Sequence, residues 1–173
     1  TLFHNRKVIS TIINNRMIKT SFLQHLPGIF NYYRNLLPVF PMAVKSLSVP
    51  SADAIISLSH CVAKGIPSGG KPHLCYCFTP MRYAWLFYRE YFGNNPLKTM
   101  LAKPLMAFLR RWDVSTSKNV TRFVAISRTV SERIKKFYGV EPDVVYPPVN
   151  TGFYTPGASQ VSGTFDLIVS ALV

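Results

Sequence analysis

Arg122-Phe123-Val124-Ala125-Ile126-Ser127-Arg128-Thr129-Val130-Ser131-Glu132-Arg133-Ile134-Lys135-Lys136-Phe137-Tyr138-Gly139 changes its hydrophobic period in the middle. Up to Ser127 it is a short apolar run of the length and composition of a buried strand. After Ser127, Val130, Ile134, Phe137 and Tyr138 fall on one face of a helix. Thr129 and Glu132 have capping-box spacing, Lys135 and Lys136 suit the negative end of the helix dipole, and Gly139 can stop the helix in a left-handed conformation. The stretch predicts a strand that passes directly into a helix.

Three more apolar runs, at 52–58, 73–78 and 143–146, are separated from it and from each other by loops or helix-like segments. That rhythm predicts an α/β fold with a mostly parallel, Rossmann-like sheet. Segment 96–118 reads as helical, with Leu97, Leu101, Leu105, Phe108 and Leu109 near helical spacing and a kink or fresh start expected at Pro104. Segment 27–44 mixes aromatic residues with Arg34 and prolines, which suits either ordinary packing or a membrane interface. From Tyr146 to Gly163 the composition shifts to Pro, Gly, Ser and Thr, as in a linker, before a final apolar run at 165–173.

The 173 residues suffice for one core, since single domains commonly run to roughly 100–200 residues. Apolar residues make up 48% and charged residues only 16%, so some apolar surface is expected to face a neighbour or a membrane. Twenty Lys and Arg against seven Asp and Glu give a net charge of +13, which favours phosphates, nucleic acid or anionic lipid without choosing among them. The basic residues are dispersed, which argues against a basic arm. Cys61, Cys75 and Cys77 cannot make a complete disulfide framework, and a reducing, cytoplasmic compartment is expected. Asn119-Val120-Thr121 has the spacing of a glycosylation sequon and, without a signal sequence, is read as a coincidence. No run of 18 apolar residues is available to span a bilayer. His60 and His73 together with the cysteines lack zinc-site spacing, so no metal or other cofactor is expected.

Three segments, in order, carry a resemblance. The first is Asp53-Ala54-Ile55-Ile56-Ser57-Leu58-Ser59-His60-Cys61-Val62-Ala63-Lys64-Gly65, and the second is His73-Leu74-Cys75-Tyr76-Cys77-Phe78-Thr79-Pro80-Met81-Arg82-Tyr83-Ala84-Trp85. The third runs from Phe123-Val124-Ala125-Ile126-Ser127 through Arg133-Ile134 and Tyr138 to Val145-Tyr146-Pro147-Pro148-Val149-Asn150. Together they are similar to the retaining family 4 glycosyltransferases of the GT-B fold, particularly the branch that builds bacterial polysaccharides and often transfers mannose. The resemblance implies an incomplete first domain of a two-domain enzyme: residues 1–150 as the acceptor-side Rossmann-like domain lacking its opening strand, 151–164 as the linker, and 165–173 as the first strand of the donor-binding domain. Residues 1–3 would end an early strand. The donor-binding basic pair and the acidic motif of the family would lie past residue 173, so this chain is not expected to catalyse transfer by itself.

The implied reaction moves a hexose, with mannose the expected sugar, from GDP-mannose or a UDP-sugar to a polysaccharide or lipid-linked acceptor, without a metal. Peripheral contact through segment 30–40 at the inner face of the cytoplasmic membrane would suit a lipid-diphosphate acceptor. At the ends of parallel strands, Ser59, Lys64, Gly65, Arg82 and Ser127 are the substrate-binding candidates. Arg82 can grip a phosphate or sugar oxygen bidentately, or pair with Glu90 or Asp113. Ser127 can hold an anion at a helix N-terminus or simply cap the helix, and Lys64-Gly65 resembles a loop admitting substrate but on spacing alone reads better as a plain surface loop. Phe78 stands where the resembling enzymes usually place a histidine that helps orient the transferred sugar, and Leu86 follows Trp85 where they commonly have an acid. Phe78 can neither hydrogen-bond nor carry a proton, which leaves a divergent enzyme, a compensated site or an inactive relative. A non-enzymatic basic domain binding nucleic acid or membrane is the competing reading; against nucleic acid, the aromatics fall in core-like runs and no recognition motif is present.

Overall fold

The computed structural model describes residues 1–49, 52–86 and 96–152, with the side chains at 96–99 and 101 outside that description. The expected linker at 151–164 lies almost wholly outside the described residues, and the expected strand at 165–173 lies wholly outside them. The chain is a mixed α/β structure. Its elements, in order, are α1 (Thr11–Asn14), a 3-10 turn (Phe22–His25), α2 (Ile29–Tyr32), a 3-10 segment (Tyr33–Val39), α3 (Phe40–Lys45), β1 (Ile55–Ser59), a 3-10 turn (Ala63–Gly65), β2 (His73–Cys77), α4 (Arg82–Trp85), α5 (Pro96–Ser117), β3 (Arg122–Ala125), α6 (Arg128–Tyr138) and β4 (Asp143–Val144). Residues 1–3 are not a strand: Leu2 accepts only from Ser21, through its N–H (3.1 Å) and hydroxyl (2.7 Å), and no ladder follows.

The four strands are all parallel in the order β1-β2-β3-β4, with Ile55 opposite His73, Cys75 opposite Phe123 and Ala125 opposite Val144. This arrangement is compatible with a Rossmann-like fold. Because the order advances in one direction, right-handed crossovers place their connections on one face. Burial follows. Ile55, Ser57, Ser59, His73, Cys75, Cys77, Phe123 and Ala125 point under the helices, while Ile56 and Leu58 on the opposite face are 73% and 61% exposed. β4 is shorter than the apolar run at 143–146 because Pro147 and Pro148 cannot donate to a ladder, so only Val145 N–H reaches across to Ala125 O at 3.0 Å.

The helix after β3 forms as expected but is capped one turn edge earlier. Ser127 is the N-cap, its Oγ accepting from Val130 N–H at 3.3 Å, so Thr129 and Glu132 are helical residues and make no capping box. Gly139 ends α6 with φ +68°, donating its N–H to Lys135 O. Val130 and Ile134 close one core over Cys75, Cys77, Phe123 and Ala125.

Pro104 neither stops nor restarts α5, which runs unbroken from Pro96 to Ser117. The proline is on the exposed side, and the carbonyl it leaves without a helical donor is that of Met100, itself 58% exposed and open to water. The buried stripe of α5 is Ala102, Met106, Leu109, Trp112, Asp113 and Thr116; Phe108, expected inside, is 53% exposed. Segment 30–40 packs mostly inward, with Tyr33, Leu36, Leu37, Val39 and Phe40 against the core that Met106, Leu109 and Trp112 share with α3. Of the two uses expected for this stretch, the structure shows ordinary packing.

Candidate functional site

In a parallel sheet every strand ends on the same edge, and residues just past those ends share one rim. Here the rim holds Ser59 and His60 after β1, Phe78 to Arg82 after β2, and Ile126 and Ser127 after β3. Phe78 N–H donates to Ser59 O at 2.8 Å, and Ile126 N–H to Cys77 O at 3.3 Å, so the loops leave the sheet in register.

Arg82 opens α4, half-buried. It lies close enough to His60 for its charge to act on the ring. Desolvation, and then the Arg82 charge, hold the His60 pKa below the ordinary histidine value and favour the neutral imidazole, which can donate from one nitrogen and accept on the other. His60 also lines an apolar cleft of about 710 Å3 between β1 and the 33–47 segment, with Tyr33, Arg34 and Tyr83 as further polar groups of its wall. That volume is within the range of about 300–1,000 Å3 usual for small-molecule sites.

α4 is only four residues long, and it is fastened from its far end. Trp85 stacks on Phe137 with ring centroids 4.4 Å apart, Arg110 Nε donates to Ala84 O at 2.7 Å, and Trp85 Nε1 donates to Asp113 Oδ2 at 2.8 Å. The other Asp113 oxygen accepts from Lys64 Nζ at 2.5 Å, and Tyr138 OH donates to Oδ2 at 2.8 Å. Lys64 donates as well to Asp113 O (2.9 Å) and Thr116 Oγ1 (3.1 Å), which uses all three of its N–H bonds. Lys64 is 1% and Asp113 0% exposed. Burial, reinforced by Asp113, pushes the Tyr138 hydroxyl well above its usual range, so it remains a donor.

These positions sort the sequence candidates. Arg82 stands on the rim, with His60 beside it. Ser127 stands on the rim too, with one lone pair given to the cap and its hydroxyl hydrogen left for another acceptor. Lys64 is carried inside, its charge answered by Asp113, where it fastens the 59–65 loop to α5. Gly65 is buried beneath it, because a Cβ there would lie 2.5 Å from Trp112 Cζ2. Ser59 is buried and contributes its carbonyl to the sheet. Phe78 is on the open face, 37% exposed, with its ring edge-to-face with Tyr76 at 5.6 Å. Asp113 is committed to Lys64, Trp85 and Tyr138, and Glu90 lies outside the described residues.

Scans of the chain against protein-family models, curated proteins and solved structures find no match. What the rim can do therefore follows from its own groups: a guanidinium, a neutral imidazole and a helix-capping hydroxyl arranged along the ends of three parallel strands, beside an apolar cleft. Such a set has the chemistry to hold an anion or a hydroxylated ligand. No cluster of three His, Cys, Asp or Glu suited to a metal occurs among the described residues. Nor is a thiol offered for attack: Cys61, Cys75 and Cys77 are all buried, and burial pushes Cys61 up to about 12. In the folded protein at pH 8, Cys61 is expected to resist iodoacetamide and to label fully only on denaturation; mass spectrometry of the labelled peptide decides, and rapid native labelling would contradict its burial.

His60 was the rim residue sequence reading left out of the binding set. Its signal is positional, directly after a strand end within the 59–65 stretch.

Proposed function

We propose that the chain supplies the acceptor-side wall of a two-domain, GT-B-type glycosyltransferase that moves a hexose, with mannose from GDP-mannose the preferred assignment over a UDP-sugar, to a polysaccharide or lipid-linked acceptor. The observation that carries the reading is the pairing of Arg82 with a neutral His60 at the C-terminal edge of a parallel sheet. Opening the glycosidic bond of a nucleotide sugar places charge on the departing diphosphate and needs fixed positive groups aimed at it. Arg82 is such a group: its half-buried helix is fastened through Trp85, so the backbone that carries the guanidinium is held on the rim. His60, kept neutral, can accept from a sugar or acceptor hydroxyl without adding charge repulsion beside Arg82. Ser127 at the N-terminus of the 11-residue α6 adds a hydroxyl and the positive end of a helix dipole.

Arg82→Ala tests this in the whole polypeptide the gene encodes. Transfer of radiolabelled mannose from GDP-mannose to a polyprenyl-diphosphate-linked acceptor is expected to fall by roughly 100-fold, the scale of losing one group that stabilises developing charge. Arg82→Lys should recover little, because a point charge does not reproduce the planar fork. Transfer at the unaltered rate would remove Arg82 from the site.

A further inference from the structure

Segment 4–19 lies outside the rim and, Ile13 apart, contributes nothing to the wall of its cleft. From residue 1 to residue 52 the chain contains no Asp or Glu, while Arg6, Lys7, Arg16, Lys19, Arg34 and Lys45 make it uniformly basic. The ion pairs made by Lys64, Arg122 and Lys135 lie elsewhere.

Segment 4–17 is nevertheless built. Asn14 donates its side-chain amide to Arg6 O and Ile9 O, both at 3.0 Å, and its Oδ1 is 2.7 Å from His4 Nε2. Ser10 caps α1 through Ile12 N–H. A loop tied back on a helix in this way has a defined outer surface, and that surface is aliphatic. No residue of α1 is buried; Val8, Ile12 and Met17 are 77%, 73% and 86% exposed, with Ile9 and Ile13 also exposed beside them. Five large aliphatic residues within ten positions, interleaved with four unopposed cations, form a patch of the kind that marks a contact surface. Behind it is a second cavity, about 470 Å3, whose wall includes Arg6, Lys7, Asn5 and Gln24.

We propose that segment 6–19 is a membrane-docking ridge, in which Val8, Ile12 and Met17 enter the interface of an anionic bilayer while Arg6 and Lys7 hold a lipid phosphate at the second cavity. Charge decides the occupant. A second copy of a chain of net charge +13 would bring like charge onto like charge. Nucleic acid would answer the cations and leave the aliphatics in water, whereas an anionic bilayer takes both, hydrocarbon for the side chains and phosphate for the cations. The inference does not depend on the transferase reading.

The test is co-sedimentation of the protein with unilamellar vesicles of phosphatidylcholine, alone or mixed with phosphatidylglycerol. Binding is expected only to the anionic vesicles, falling steeply as ionic strength rises from about 0.15 M toward 1 M. Arg6→Gln with Lys7→Gln should weaken it by roughly 30-fold, the effect of two cations near an anionic surface. Ile12→Ser with Met17→Ser should weaken it by at least roughly tenfold. All four positions are exposed, so both variants should unfold at the parent's denaturant midpoint. Equal binding to neutral vesicles, unchanged binding by either variant, or release by millimolar inorganic phosphate alone would overturn the proposal.

Discussion

Asp113→Ala is expected to destabilise the fold by at least about 3–5 kcal/mol, the cost of breaking a buried ion pair from one side. The sum is larger than a single contact because one carboxylate serves three donors on three different elements. Its removal leaves the Lys64 ammonium, 1% exposed, with Asp113 O and Thr116 Oγ1 but no counter-charge, and it strips the acceptor from Trp85 Nε1 and Tyr138 OH. The rings of Trp112 and Tyr138, with centroids 5.4 Å and 5.1 Å from Lys64 Nζ, offset only part of that loss. Against a typical total stability of about 5–15 kcal/mol, this is enough to leave a large unfolded fraction at 37 °C. Lys64→Met should cost a similar amount, since it strands the carboxylate with two neutral donors.

The diagnostic is the double variant. Lys64→Met with Asp113→Ala removes both charges together and should be less destabilised than the sum of the singles by about 2 kcal/mol or more, because neither charge is then left alone. Urea denaturation of the parent, both singles and the double closes the cycle. Additive losses would mean that the pair is not coupled and that the network contributes only through packing. The same network fixes the position of Arg82, since Trp85 ties α4 to Asp113 and Lys64 ties the loop carrying His60 to the same residue.

Much of this fold is legible in the sequence because its strands are short, apolar and separated by long connections. The runs at 52–58, 73–78 and 122–127 each overlap a strand that is shifted or trimmed by a few residues, and α6 follows from the spacing of Val130, Ile134, Phe137 and Tyr138. What fails at the ends is local hydrogen-bond accounting. The Thr129/Glu132 capping box does not form, whereas Ser127, which the sequence also allows as a cap, is the last extended residue, with φ −160° and ψ 164°, and turns its hydroxyl back onto Val130 N–H. The second helix that Pro104 could have started does not form, for a tertiary reason: a proline whose side of the helix faces water loses one hydrogen bond and no packing.

The Lys64–Asp113 pair is the least visible feature, its partners 49 positions apart and buried in a way that no periodicity assigns. A signal was present. Asp113 is the single acid in α5, and it occupies the stripe shared by Leu109, Trp112 and Thr116, where an unpaired carboxylate would be very costly. A buried acid in a chain of net charge +13 demands a buried base, and a Lys next to a glycine in an otherwise apolar loop was the place to look. The cleft, in contrast, depends on how segments 1–3 and 33–47 pack beside β1, which residue spacing does not encode.

Gly65→Ala should destabilise the protein by roughly 2–3 kcal/mol, toward the upper end of the range for overpacking a core. The backbone there is not in a conformation reserved for glycine, so the reason is space alone. A Cβ would lie 2.5 Å from Trp112 Cζ2 and 2.6 Å from Cη2, distances that no pair of carbons tolerates, and 3.4 Å from Val44 Cγ1. Trp112 cannot swing clear easily, being 7% exposed and packed in the core with Met106 and Leu109. The clashing atoms belong to the six-membered part of the indole, which phenylalanine does not project as far. Trp112→Phe should therefore relieve Gly65→Ala, and the pair should be less destabilised than the sum of the singles by about 1 kcal/mol or more. Trp112→Phe by itself should cost less than a comparable core truncation, because Trp112 Nε1 is buried with no acceptor and its removal ends that desolvation penalty. Denaturant midpoints of the three variants decide the matter. If alanine at 65 is neutral, the loop moves away from α5 without cost, and Lys64 is not held against Asp113 as tightly as the network of hydrogen bonds requires.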